Sequence, residues 1–171
     1  MLSTKLQEAL NAQINAEQWS AYLYLSMSLD ASVKGYKGIS NWFSIQYQEE
    51  QAHAQLFIDY ILSRGGRVTL APIAAVPTEW ATPLDMFRET LAHEQKVTSL
   101  IDNLCRLAAD EQDFATSNQL IWFVNEQVEE EENARDIIDQ LQMVSESQMG
   151  LYMIDKELGT RTYTAPSIAA Q

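Results

Sequence analysis

Apolar positions along the chain recur at alternating spacings of three and four, the period of a helix that buries one stripe. One stripe reads Leu6, Leu10, Gln13, Glu17, Ser20, Tyr24, Met27 and Ala31. A second reads Ile39, Phe43, Gln46, Glu50, His53, Phe57 and Tyr60. A third reads Leu84, Phe87, Leu91, Glu94, Thr98, Ile101, Cys105 and Ala108, and a fourth reads Thr116, Leu120, Phe123, Gln127, Glu130, Ala134, Ile137 and Leu141. The period-two alternation of a half-buried strand is missing. The stripes predict four long helices, over about Ser3 to Ala31, Ile39 to Ser63, Thr82 to Asp110 and Phe114 to Met143. Ser3 and Thr82 stand where capping hydroxyls belong, and Pro83 takes a first helical position. A short fifth helix is predicted over Ser147 to Leu158, with Gly159 ending it.

The breaks set the topology. Ser32 to Gly38 is short, so the first two helices should be antiparallel neighbours, and the short break around Glu111 and Gln112 says the same of the third and fourth. The middle linker, residues 64–81, is much longer. At ~3.3 Å per residue it can reach ~55–60 Å, whereas a helix of about 26 residues is ~39 Å long. It can therefore travel the whole length of a bundle. The expected fold is all-α, a four-helix bundle with one long crossover plus a short fifth C-terminal helix. Residues 1–159 form this domain, and residues 160–171, small and polar, form a C-terminal tail expected to be loosely held.

Charge narrows the functional classes. Eleven Lys+Arg face 24 Asp+Glu, for a net charge of −13. Nucleic-acid binding and attachment to an anionic membrane want the opposite sign, whereas an acid excess suits metal cations. The single cysteine, Cys105, excludes an intrachain disulfide and a cysteine-rich metal knuckle; it reads as a small core residue. No run nears the ~18 apolar residues of a membrane span and no apolar leader is visible, so the expected compartment is the cytoplasm.

The chemistry lies where the stripes are interrupted. Each is apolar at its ends and carries an acid near its middle: Glu17, Glu50, Glu94 and Glu130. In helices of similar length these midpoints fall at one level, so four carboxylates should converge inside the bundle with His53 and Gln127. A buried unpaired carboxylate costs several kcal/mol, and no Lys or Arg lies on any stripe. Two divalent cations would balance the charge. Hard oxygens plus an imidazole suit iron or manganese, and accept zinc. Glu50-x-x-His53 sets both side chains on one helical face, within reach of one ion. Dimetal bundles combine single Glu ligands with two Glu-x-x-His pairs; here the second pair is Gln127-x-x-Glu130. A ferroxidase, an oxidase acting on an organic substrate and a passive metal cage all fit this pattern.

Through Glu17, Tyr24, Glu50, His53, Glu94, Gln127 and Glu130, the chain resembles the haem-free bacterial ferritins as far as about Gly159. The resemblance implies a ferritin-like fold and an iron-storage protein with ferroxidase activity. Such a protein oxidises Fe²⁺ with oxygen or hydrogen peroxide and stores ferric mineral inside a homo-oligomeric shell of 24 subunits. Glu17, Glu50 and His53 would bind the first iron. Glu50 would bridge to a second held by Glu94 and Glu130, with Gln127 in support and Tyr24 beside the pair. A third iron site would use Glu49, Glu126 and Glu129, sharing Glu130. Bacterioferritins carry their haem-ligating Met directly after the glutamate of the first pair; Gln51 stands there, so no haem is expected. The fifth helix resembles the one at the four-fold axes of such shells. Outside this set, His93 reads as structural or solvent-facing, Trp122 as a packing residue, and Glu131 and Glu132 as a solvated face. Asp110, Glu111 and Asp113 read equally well as lining an entry channel or as loop charges.

Overall fold

Side-chain caps start four of the five helices. The computed structural model describes residues 2–166, and its elements are α1 (Thr4–Val33), α2 (Lys37–Ser63), α3 (Pro83–Asp110), α4 (Phe114–Met143) and α5 (Gln148–Leu158). Ser3 Oγ accepts from Leu6 N, Thr82 Oγ1 from Asp85 N, Asp113 Oδ1 from Thr116 N and Ser147 Oγ from Gly150 N. Each satisfies a donor left without an intrahelical partner. Asp113 also takes both terminal nitrogens of Arg64 at 2.9–3.0 Å, clamping the α3–α4 turn to the end of α2. This pairing holds its carboxyl down at about 2. Asp113 is thus a structural cap.

Helices α1 and α2 pair along their lengths, α3 pairs with α4, and α5 packs on α2. The crossover runs down the outer face of α1, pinned by a ladder of polar residues one or two helical turns apart. Asn11 bonds Arg67 O and Thr69 N, and Asn15 bonds the carbonyls of Ala71 and Pro72. Trp19 reaches Ala75, Ser26 reaches Pro77, and Asp30 accepts from Trp80 N. A chain with few hydrogen bonds of its own is thereby satisfied from the helix beneath it. Where α5 meets α2, a Cβ on Gly38 would lie 1.4 Å from Asp155 O, and one on Gly159 would lie 3.3 Å from Gly38 Cα. Gly159 ends α5 with φ −68°, in the right-handed region. Its lack of a side chain serves this close approach.

The predicted stripes of α1 and α4 are buried throughout. On α2, Tyr60 is half-buried, with its hydroxyl 2.9 Å from Thr116 Oγ1, and Ile61 enters the core instead. On α3 the seam is shifted. Phe87, Glu94, Ile101 and Ala108 are buried as predicted, but the alternate positions are Thr90, Val97 and Leu104. Leu91, Thr98 and Cys105 are only partly buried, so Cys105 flanks the core. The apolar interior has two halves. One contains Tyr24, Met27, Phe43 and Phe87; the other contains Leu10, Phe57, Ile101 and Phe123. The midpoint acids lie between them.

Candidate metal centre

Each of the four long helices delivers one carboxylate to this middle layer. Glu17, Glu50, His53, Glu94, Gln127 and Glu130 are all buried, with Glu94 only 1% exposed. Glu17, Glu50 and His53 each offer a ligand atom within 4.8 Å of the others. His53 Nδ1 lies 3.5 Å from Glu50 Oε2. Gln13, one turn before Glu17, donates to it at 2.7 Å. On the facing helices the Tyr24 hydroxyl donates to Glu94, and Gln127 Nε2 donates to Glu94 Oε2 at 3.1 Å. Gln46, one turn before Glu50, crosses to donate to Glu130 at 2.9 Å. Gln13 and Gln46 thus orient the acids. Their signal was the placing of a glutamine one turn ahead of each acid on the α1 and α2 stripes.

The electrostatics are those of a charged layer without a counterion. Burial drives the Glu17, Glu50, Glu94 and Glu130 carboxyls upward, Glu94 to about 7. Repulsion from Glu94, Glu17 and Glu130 adds to the rise at Glu50, and the Glu94 charge adds to it at Glu130. Burial also pushes the Tyr24 hydroxyl well above its ordinary value, with the Glu94 charge beside it as the next cause. His53 is held neutral, its imidazole down at about 4 by burial. Its Nε2 is buried without a hydrogen-bond partner. Among the described residues no lysine or arginine bonds any of the six. A neutral imidazole among hard oxygen donors, with no protein cation bonded to them among the described residues, fits divalent metal.

The outer acids differ from the inner ones. Glu126 Oε1 lies 3.8 Å from His53 Nε2, and its side chain is 25% exposed. Burial first, then Glu129 and Glu49, raise its carboxyl to about 7. Glu129 is exposed. Glu49 is drawn into a pair with Arg161, which the stripes could not reveal because Arg161 lies beyond α5. Glu131, expected on a solvated face, is half-buried instead: it accepts from Thr98 Oγ1 at 2.8 Å and pairs with Arg135. His93 bonds Ser20 at 2.7 Å between the rings of Trp19 and Tyr24. Trp122 packs edge-on against His53 with ring centroids 5.4 Å apart.

The family model described as a ferritin-like domain matches residues 7–144. A bacterial non-heme ferritin of Bacteroides fragilis is 45% identical over 161 residues, covering 94% of this chain and all of that protein. One from Staphylococcus aureus is 37% identical over 95% of this chain and 98% of its own. Among solved structures, an open pore ferritin from the archaeon Archaeoglobus fulgidus superposes with a TM-score of 0.94 at 48% identity, covering 95% of this chain and all of its own. A humanized archaeal ferritin gives 0.95 at 47%, over 96% and 99%.

Proposed function

The chain belongs to the ferritin family, and from that premise we propose how its middle layer handles iron. It is an iron-storing ferroxidase of the non-haem kind; Fe²⁺ is its substrate and its cargo. Glu17, Glu50 and His53 take one Fe²⁺. Glu94 and Glu130 take the second, Glu50 spans the two, and Gln127 orients Glu94. The observation that carries this reading is the buried layer of four carboxylates with no cation bonded to it.

Charge explains both capture and release. Burial favours the protonated form of these carboxyls in the empty site, and any protons they hold leave as Fe²⁺ arrives. Four carboxylates then balance two Fe²⁺. Each iron gives up one electron. Oxygen accepting two electrons with two protons becomes hydrogen peroxide, and peroxide accepting two more with two protons becomes water. Two Fe³⁺ exceed the charge of the four carboxylates by two. Hydroxide or oxide formed from water, with release of its protons, balances that excess as the ferric product forms, and we assign Glu49, Glu126 and Glu129 as the third iron site on its way out. Tyr24, bonded to Glu94, stands beside the reacting pair with its proton firmly held.

The remaining assignments follow the family. Residues 1–159 act as one storing domain in a shell of 24 subunits, with residues 160–171 as its tail. The large apolar side chains left exposed on α5, Met149, Tyr152 and Met153, support burial against other subunits. No helix among the described residues is long and apolar enough to cross a membrane, and we place the shell in the cytoplasm. The test is rapid-mixing oxidation of Fe²⁺ in air, stepped from zero to several ions per chain, for the parent and His53→Ala. A fast phase saturating at about two irons per chain and lost in the variant is expected. Slow oxidation identical in both would overturn the assignment.

A further inference from the structure

The C-terminal tail does not begin as a loose end. After α5 the chain turns back along α2, and Asn41 Nδ2 donates to the carbonyl of Arg161 at 3.0 Å. The Arg161 guanidinium carbon lies 4.8 Å from the centroid of the Trp42 ring. Its Nη1 donates to Gln46 Oε1 at 2.6 Å and its Nη2 to Glu49 Oε2 at 2.7 Å. The bond to Gln46 fixes which way that amide points, so that its Nε2 faces Glu130. One side chain from outside the bundle thus touches an outer acid directly and an inner acid through a single amide. Residues 167–171 lie outside the described part of the chain.

We propose that Arg161 is a built-in counter-cation at the outer acids, which a third metal ion must displace from Glu49 before it can be held there. This inference rests on the assignment of Glu49, Glu126 and Glu129 as the third site. Three carboxylates clustered at a half-exposed surface would otherwise attract a divalent ion strongly. With a guanidinium already on Glu49 the gain is reduced, because the ion must break the charge-assisted bond from Arg161 to Glu49 or settle for fewer ligands. The inner pair has no such competitor. Arg161 is therefore a positioning residue that keeps the third site weak, so that an ion reaching it moves on. The planar fork matters as well as the charge: it bonds Glu49 and Gln46 together, which an ammonium reaches only singly.

The test uses assembled protein and Zn²⁺, a redox-inert divalent probe, titrated by calorimetry at one fixed ionic strength. The chains are the parent, Arg161→Gln, Arg161→Lys, Glu49→Gln and the double variant Glu49→Gln/Arg161→Gln. Removing the competing charge should tighten the third ion roughly five- to tenfold in Arg161→Gln, with the change confined to that ion. Arg161→Lys, which keeps the charge but not the fork, should fall between the parent and Arg161→Gln. In the Glu49→Gln background the further loss of Arg161 should change nothing, which identifies Glu49 as the residue Arg161 acts through. Equal third-ion affinity in the parent and Arg161→Gln overturns the proposal. So does a gain that survives in the double variant, or a third ion that binds to none of the chains. Loss of the two tight ions from the parent itself would count against the proposed function instead.

Discussion

Replacing Glu94 with glutamine should make the empty protein more stable, and increasingly so as pH rises. The side chain is 1% exposed, and burial lifts its carboxyl from about 4.5 to about 7. A group with its folded-state pKa raised binds more protons folded than unfolded between those two values. Its favourable contribution is complete below the unfolded value and is lost as pH climbs through the folded one. The span of ~2.5 units corresponds to about 3 kcal/mol lost between pH 4.5 and pH above 7 from Glu94 alone. Glutamine keeps the shape and can still accept from Tyr24, while Gln127 Nε2 gives up its side-chain acceptor and keeps the Glu94 backbone carbonyl, a loss that does not vary with pH. It carries no charge to desolvate. The advantage of Glu94→Gln over the parent should therefore widen by about 3 kcal/mol from pH 5 to pH 8, or roughly 6–12 °C in melting temperature for a chain of this size. The assay is scanning calorimetry of metal-free protein at both pH values and one scan rate. Zn²⁺ should reverse the order at pH 8, because a bound ion stabilises the parent by mass action and Glu94→Gln has lost a ligand. A pH-independent gap between the two metal-free proteins would refute the reasoning.

Two further substitutions test the fold around the site. Gly38→Ala puts a methyl 1.4 Å from Asp155 O, forcing α5 off α2 and breaking the bond from Ile39 N to Asp155 Oδ1; a loss of about 2–3 kcal/mol, read by calorimetry together with faster hydrogen exchange in α5, is expected, and an unchanged melt would show that the contact is not needed. Gln112 holds φ +54° at the α3–α4 turn, so Gln112→Gly should gain about 0.5 kcal/mol by relieving the left-handed strain, less the entropy that glycine adds to the unfolded chain; a lower melting temperature would contradict it.

The acids of the middle layer were legible because the helical period is strict and their charge is out of place. An apolar stripe interrupted at its centre by glutamate, four times over, has few explanations other than a cation. The seam of α3 was not legible in the same way. Positions 87, 94, 101 and 108 recur every seven residues and belong to either seam. The choice between Thr90, Val97 and Leu104 on one flank and Leu91, Thr98 and Cys105 on the other is hard to make on hydrophobicity, since each flank mixes a threonine with apolar or weakly polar residues. The packing of α3 against its neighbours decides it. Tyr60 lost its predicted place to Ile61 for a different reason: its hydroxyl finds a partner, Thr116, only from the half-buried side. Arg161 escaped because it lies 112 residues from Glu49, in a segment with no period to read.

The same layer that costs the empty protein stability gives iron a direction. Glu50 and Glu130 are buried between two apolar half-cores, Glu49 and Glu126 keep 18% and 25% of their side chains exposed, and Glu129 is exposed. Negative charge thus runs along neighbouring turns of α2 and α4 from the dry interior to the surface. Attraction for a cation is strongest where water is scarcest, so the inner pair fills first. Oxidation then raises the charge there beyond what four carboxylates balance, and the outer acids are the next carboxylates on the way to the surface. A strong outer site would trap what it received. Arg161 sits on the acid that would make it strong, and it reaches that acid from a segment outside the four helices that build the layer. On the proposed third site, capture would be set by the bundle and passage by the tail, so substitutions at residue 161 should separate two properties that substitutions at Glu50 or Glu130 must change together.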